Sequence, residues 1–141
     1  DLVVSPQHRM LLPATGLTTD FSGSEVFAPA KGLLPLKGVR VMKGKKSVTY
    51  VHLLLPHHAV IFAEGAPSES FYPGSVALAM MSDAQRREVL ACFPALREDP
   101  QDGYGSMARE SLTVRRAQEW ARKARGTLSL DTPFQRIARA A

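Results

Sequence analysis

The chain has 141 residues, enough for one domain with a small appendage, and a formal net charge of +5. Hydrophobic residues make up 45% of it, which excludes wholesale disorder, and the apolar runs are too short to cross a bilayer. The single cysteine, Cys92, excludes an internal disulfide framework and a thiolate zinc cluster. No charged-then-apolar leader is visible. Because the first residue is Asp1 rather than Met, we expect the chain to belong to a longer gene product.

The first eighty residues predict β-structure. Apolar runs at 2–4 and 10–12 flank a short polar segment, and a loop rich in Gly, Thr and Ser follows at 14–24. Residues 26–30 predict a strand that Pro29 ends or keeps at a sheet edge. A strand at 39–42, a polar turn at 43–46 and a strand at 47–55 predict a hairpin, and residues 59–63 predict a further strand.

After Gly74 the spacing of apolar residues becomes helical. Ser82 and Gln85 predict a capping box that opens a helix, which ends before Pro94. A second helix is predicted over 108–125, with Gly126 as its terminator and a further short helix after Pro133. The apolar stripe of the helix over 108–125 consists of small residues with one tryptophan beside them: Val114, Ala117, Ala121 and Ala124, with Trp120.

The segment 2–12, Leu-Val-Val-Ser-Pro-Gln-His-Arg-Met-Leu-Leu, is similar to the second conserved block of Hint (Hedgehog/intein) domains. In that block a Thr or Ser precedes a His by three residues, between two strands. The resemblance implies that Ser5 and His8 take those positions, beside a scissile peptide bond. An acyl shift onto sulfur or oxygen requires protonation of a poor amine leaving group, and a histidine titrates in the right range to donate that proton.

A second segment, residues 48–65, resembles the Hint block that runs from an apolar strand through a histidine to another strand and a glycine. The Glu-Gly pair at 64–65 and the Glu-Ser pair at 69–70 resemble a bacterial Hint subfamily, and 93–96 and 104–106 are weaker markers. The resemblance implies a mostly β, Hint/intein-like fold over 1–75, incomplete at its amino-terminal side. An α-helical extension over 76–141 then packs on it.

Two departures from the family pattern bear on function. Splicing inteins have a His-Asn pair where Glu69 and Ser70 stand, and the Asn cyclises to cut the carboxy-terminal junction. Because neither Glu69 nor Ser70 can form that succinimide, the chain is more similar to Hedgehog-type processors, which only cleave. The first block, with its Cys or Ser nucleophile, is absent, and Cys92 lies on a predicted helix. We therefore expect a fragment that is inactive alone and needs its own amino-terminal Hint segment, in cis or as a separate chain.

The predicted catalytic residues are His8, Ser5 and His58, and the residues expected to support them are Glu64, Glu69, Ser70 and His52. Each has a structural alternative. His8 and Ser5 are also typical of a turn, and His58 of a buried structural histidine. Glu64 and Glu69 are suited to orient an imidazole or accept a proton, but equally to pair with surface Lys or Arg. His52 and His57 otherwise read as surface residues.

Other functions stay open. The first is a degenerate Hint scaffold that serves as a binding or structural module. The second is a hydrolase that uses His8 or His58 with Glu69 as acid and base. The third is a nucleic-acid binder that uses the arginines of the second predicted helix, which is disfavoured because the cations are scattered. The histidine spacing predicts no metal or other cofactor, and no membrane association is expected.

Overall fold

The computed structural model describes residues 2–15, 17, 21–44 and 47–125. All four described strands precede the three α-helices, and two 3-10 turns lie at Ala30–Leu33 and Pro94–Arg97. The strands are β1 (Arg9–Pro13), β2 (Glu25–Pro29), β3 (Val60–Ala63) and β4 (Ala66–Glu69), and the helices are α1 (Ser75–Met80), α2 (Asp83–Cys92) and α3 (Val114–Ala124). The described residues therefore combine one sheet with three α-helices, a mixed rather than mostly β content.

The chain divides into two compact units that interleave along the sequence. Of the described residues, the first unit takes those up to 51, together with 60–69 and 109–125. It contains the whole sheet and α3. The second unit takes 52–59 and 70–108, and so contains α1 and α2.

The sheet of the first unit has the strand order β2-β1-β4-β3, and every pairing is antiparallel. Met10 lies opposite both Ala28 and Ser68, so these side chains share one face. That face belongs to a core to which α3 contributes four buried residues, Ala117, Trp120, Ala121 and Ala124. The predicted stripe is confirmed at these four residues, whereas its first member, Val114, is half-buried. The small alanine side chains let α3 approach closely. A Cβ on Gly32 would lie 2.5 Å from that of Ala117.

The second unit is built on helices and aromatic rings. Ser82 accepts a hydrogen bond from the Gln85 amide while the Gln85 side chain accepts one from the Ser82 amide, which confirms the predicted capping box at the start of α2. The buried core consists of Leu78, Val89, Leu96 and Tyr104. The ring of Tyr104 contacts those of Tyr72 and Phe93 edge-on, at 5.6 and 5.0 Å between centroids.

The predicted hairpin over 39–55 is wrong. The structure has no strand at 39–44 or 47–55, and Val41 and Val51 are 62% and 83% exposed. Alternating β-branched residues favour a strand, but a strand also requires a partner edge. Within the described chain, β1 to β4 pair with one another and leave this segment out.

The second predicted helix begins later than expected, at Val114 rather than at residue 108. The preceding residues pair with β2 instead: the Phe27 amide donates to the Glu110 carbonyl, and the Leu112 amide donates to the Phe27 carbonyl. Thr113 then caps α3 by accepting from the Arg116 amide. The terminator Gly126 and the short helix after Pro133 lie outside the described residues. No helix among those described is long and apolar enough to span a membrane.

Candidate functional site

The segment before β1 forms a tight turn that joins Ser5 to His8. The His8 amide donates to both the carbonyl and the side-chain hydroxyl of Ser5, at 3.1 and 3.2 Å. Pro6 follows Ser5, and its ring fixes the backbone angle that this position of a turn requires. Ser5 thus performs the structural role that its position suggested, and its hydroxyl positions the backbone of His8.

This turn is attached to the end of β2. The Ala30 amide donates to the His8 carbonyl at 2.9 Å, and the Lys31 amide donates to the Pro6 carbonyl at 3.0 Å. His8 itself is half-buried. The histidine therefore lies on a fixed backbone while part of its surface is open to solvent.

Glu69, at the end of β4, lies beside this turn. One carboxylate oxygen accepts from the Arg9 amide and the other from the Arg9 guanidinium, both at 2.9 Å. The Glu69 side chain is 8% exposed and that of Arg9 is 31% exposed. The Arg9 Nε also donates to the Ser111 hydroxyl at 3.0 Å. Glu69 therefore pairs with an arginine, which was the structural alternative to a role at the site. That arginine directly follows His8.

Glu64 lies away from this group. It forms the β3–β4 turn with Gly65, and both residues have positive φ, 51° and 76°, as in a type I′ hairpin turn. The turn precedes Ala66, whereas Glu69 ends the strand beside Arg9. The length of β4, roughly 13 Å at the usual rise per residue, thus separates the two glutamates. The structure brings Ser5, His8 and Glu69 together and leaves Glu64 at the far end of the hairpin.

His58 belongs to the second unit and is 6% exposed. Its Nδ1 accepts a hydrogen bond from the Ala108 amide at 3.1 Å, and its ring lies edge-on to Tyr72 at 5.2 Å. An Nδ1 that accepts carries no proton, so the neutral ring has its proton on Nε2. Because β3 begins only at Val60, His58 precedes the strand.

Ser70 and His52 also lie in the second unit. Ser70 is fully buried, and its amide and hydroxyl bond to the carbonyl and amide of Ala59, the residue after His58. His52 is exposed and its ring lies 5.0 Å from that of Phe71. Ser70 thus holds the backbone beside His58, while His52 is a surface residue.

Tyr104, which lies in the same unit as His58, has a perturbed pKa. Burial raises the pKa of Tyr104 above its ordinary value of 10.0, and its hydroxyl donates to the Leu55 carbonyl at 2.7 Å. Tyr72 adds a smaller rise. Tyr104 is therefore neutral at physiological pH and serves as a hydrogen-bond donor to the segment that leads to His58.

Sequence reasoning missed Arg9 and Ser111. Arg9 follows His8 directly, and Ser111 lies 102 residues farther along the chain. Their partnership depends on contacts between distant segments, which no local pattern signals. Among the residues that the structure describes, no group of three or more His, Cys, Asp or Glu is placed to hold a metal ion.

Residues 1–75 match the model of a protein family described as Hint domain. No curated protein and no solved structure matches the chain. The matched range includes the Ser5–His8 turn, Glu69 and His58.

Proposed function

The chain belongs to the Hint domain family, and we propose that it supplies the proton-donating part of an autoprocessing reaction that cleaves a peptide bond. In this reaction a Cys thiol or Ser hydroxyl loses its proton to solvent, attacks the preceding carbonyl carbon and forms a thioester or ester. The carbon–nitrogen bond breaks, and the leaving amine takes a proton from His8. Water or another nucleophile then attacks the ester and releases the acyl group.

The observation that carries the proposal is the fixed backbone of His8. A general acid contributes only when its imidazole stays within hydrogen-bond reach of the leaving nitrogen. The amide and the carbonyl of His8 both have backbone or hydroxyl partners, in Ser5 and Ala30. A half-buried imidazole on this support suits proton transfer to a peptide bond brought from another segment.

His58 has the proposed second role. Its proton lies on Nε2, because Nδ1 accepts from the Ala108 amide. We assign to it a part in orienting the scissile peptide, with Ser70 fixing the backbone beside it. Glu69 is assigned a supporting role through Arg9, because both its carboxylate oxygens accept from that residue. That engagement also disfavours a hydrolase in which Glu69 acts as acid and base.

The proposal includes cleavage without splicing, by a domain similar to the bacterial subfamily with Glu-Gly and Glu-Ser pairs. Neither Glu69 nor Ser70 can form the succinimide with which an asparagine releases the carboxy-terminal junction. Residues 1–75 form the Hint part in this proposal, and 76–141 the helical extension.

The nucleophile comes, in this proposal, from an amino-terminal Hint segment outside the chain. Cys92 is the single cysteine of the sequence and lies exposed on α2, in the second unit. Residues 39–55, which do not form the predicted hairpin, also support the proposal of a partner segment. Val41, Val48 and Val51 are 62%, 41% and 83% exposed, and apolar β-branched residues so exposed are typical of surfaces that another chain segment covers.

The test uses the longer gene product that the proposal requires, in which an upstream segment precedes this chain. Purified protein is incubated with and without dithiothreitol and run on a denaturing gel. We expect thiol-induced cleavage just before the Cys or Ser that opens the upstream block, and none after that residue is changed to Ala. An upstream sequence without such a residue, or an intact protein after thiol treatment, would overturn the proposal in favour of a degenerate scaffold.

A further inference from the structure

We propose that Arg9, held between Glu69 and Ser111, is a positioning residue for His8. Its consequence for cleavage rests on the proposed function, but the geometry it maintains is a property of the chain alone. The relevant groups come from three parts of the first unit: Arg9 from β1, Glu69 from β4, and Ser111 from the segment that pairs with β2.

The contacts fix the backbone angles of residue 8. The His8 amide is bound by Ser5 and the His8 carbonyl by the Ala30 amide. The next polar backbone atom, the Arg9 amide, is bound by a Glu69 oxygen at 2.9 Å. Because the peptide planes on both sides of the His8 Cα are held, φ and ψ of that residue have little freedom, and the imidazole projects from a fixed base.

The Arg9 side chain keeps the Glu69 carboxylate in place for this task. A carboxylate that is 8% exposed is costly unless a cation and hydrogen-bond donors surround it. The guanidinium donates through Nη1 to Glu69 and through Nε to Ser111, at 2.9 and 3.0 Å. This fork fixes the guanidinium plane, and a lysine has no matching geometry.

The same unit offers a matched control in a second arginine–glutamate pair. Arg109 donates through two nitrogens to Glu25 at 3.1 and 3.0 Å. Both of those side chains are 42% exposed, and no contact described for His8 includes either of them. Charge, pair type and unit are matched, while the link to the backbone of His8 differs.

The experiment compares Arg9→Ala, Glu69→Gln and Ser111→Ala with Arg109→Ala in the longer gene product. Single-turnover rates of thiol-induced cleavage and thermal melting temperatures are measured on the same samples. We expect Arg9→Ala and Glu69→Gln to slow cleavage by about tenfold to hundredfold, since small displacements of a reacting group have effects of that size. Ser111→Ala is the mildest change at the site and keeps the measurement informative if the other variants fold poorly.

A rescue arm separates positioning from stability. Guanidinium ion, added to Arg9→Ala below the concentrations that unfold the protein, should restore part of the cleavage rate without raising the melting temperature. The double variant of Arg9→Ala with Glu69→Gln should be no slower than the slower single variant, because the two residues act as one unit. Rates equal to that of Arg109→Ala, or losses that follow the melting temperature without rescue, would overturn the inference.

A second arm needs no cleavage. In the 141-residue chain, hydrogen exchange of the His8 and Arg9 amides is followed by NMR for the original protein, Glu69→Gln and Arg109→Ala. Faster exchange at both amides in Glu69→Gln alone supports the inference. Unchanged exchange contradicts it. Failure of cleavage in the unaltered gene product would instead count against the proposed function.

Discussion

The contacts described for two histidines of this chain hold different groups. At His8, in the first unit, Ser5 and Ala30 bind the backbone and Glu69 binds the amide of the next residue. At His58, in the second unit, the imidazole itself accepts a backbone amide and lies against an aromatic ring. The first arrangement fixes where a ring begins, and the second fixes the ring and its protonated nitrogen.

The difference suits the two histidines to different roles in the proposed reaction. A group that transfers a proton exchanges hydrogen-bond partners during the reaction, so a support through the backbone preserves its position while its ring reacts. A ring bound at Nδ1 by a backbone amide keeps one tautomer and one orientation. This difference is the basis on which we propose proton donation for His8 and orientation for His58.

The largest effect on this comparison should come from the core beneath the sheet. Trp120→Ala removes a buried side chain of the first unit and its hydrogen bond to the Thr15 carbonyl. We expect a loss of about 3–5 kcal/mol in the free energy of unfolding, measured in urea. Hydrogen exchange should accelerate at the amides of β1 and β2. The separate cores of the two units imply that α2 of the second unit keeps its protection against hydrogen exchange. An equal loss of that protection in α2 would contradict this.

A change at His58 tests the second arrangement. His58→Leu keeps the bulk but removes the ring nitrogen that accepts from the half-buried Ala108 amide. We expect a loss of about 1–3 kcal/mol in stability, from the lost hydrogen bond and the lost ring contact with Tyr72. The control His57→Leu changes an exposed neighbour and should stay within about 0.5 kcal/mol of the original protein. Equal effects of the two substitutions would show that the ring of His58 is not held as described.

The smallest effect concerns the hydroxyl that supports the segment before His58. Tyr104→Phe removes the bond to the Leu55 carbonyl and should cost about 1 kcal/mol near neutral pH. Because burial raises the pKa of Tyr104 above 10.0, the folded protein retains this proton more tightly than the unfolded chain. Its contribution is complete below pH 10.0 and is lost as the pH rises through the higher folded value.

Chemical unfolding at pH values on both sides of that range provides the measurement. The stability of the original protein should fall more steeply at alkaline pH than that of Tyr104→Phe. Parallel curves for the two proteins would contradict the assigned role of burial.

The sequence predicted the features that depend on neighbouring residues. The strands at Arg9–Pro13, Glu25–Pro29 and Val60–Ala63 and the capping box of α2 follow from local alternation, proline position and side-chain spacing. The small stripe of α3 was predicted for the same reason. The turn between Ser5 and His8 also forms where local chemistry favours one.

What failed depends on partners far along the chain. Residues 47–55 have the composition of a strand, but no strand of the described chain pairs with them. Residues 108–113 have helical character, yet two of them, Glu110 and Leu112, form backbone hydrogen bonds with Phe27 instead of a helical turn. The Arg9–Glu69 pair joins residues 60 positions apart, so only the assembled sheet reveals it.

The central claim is that His8 donates the proton to the leaving amine. The most direct test is the single-turnover rate of thiol-induced cleavage in the longer gene product, for His8→Ala and for the control His57→Ala. We predict a fall of about 10²- to 10⁴-fold for His8→Ala, the usual contribution of a general acid, and an unchanged rate for His57→Ala. Cleavage of His8→Ala at the original rate would contradict the claim.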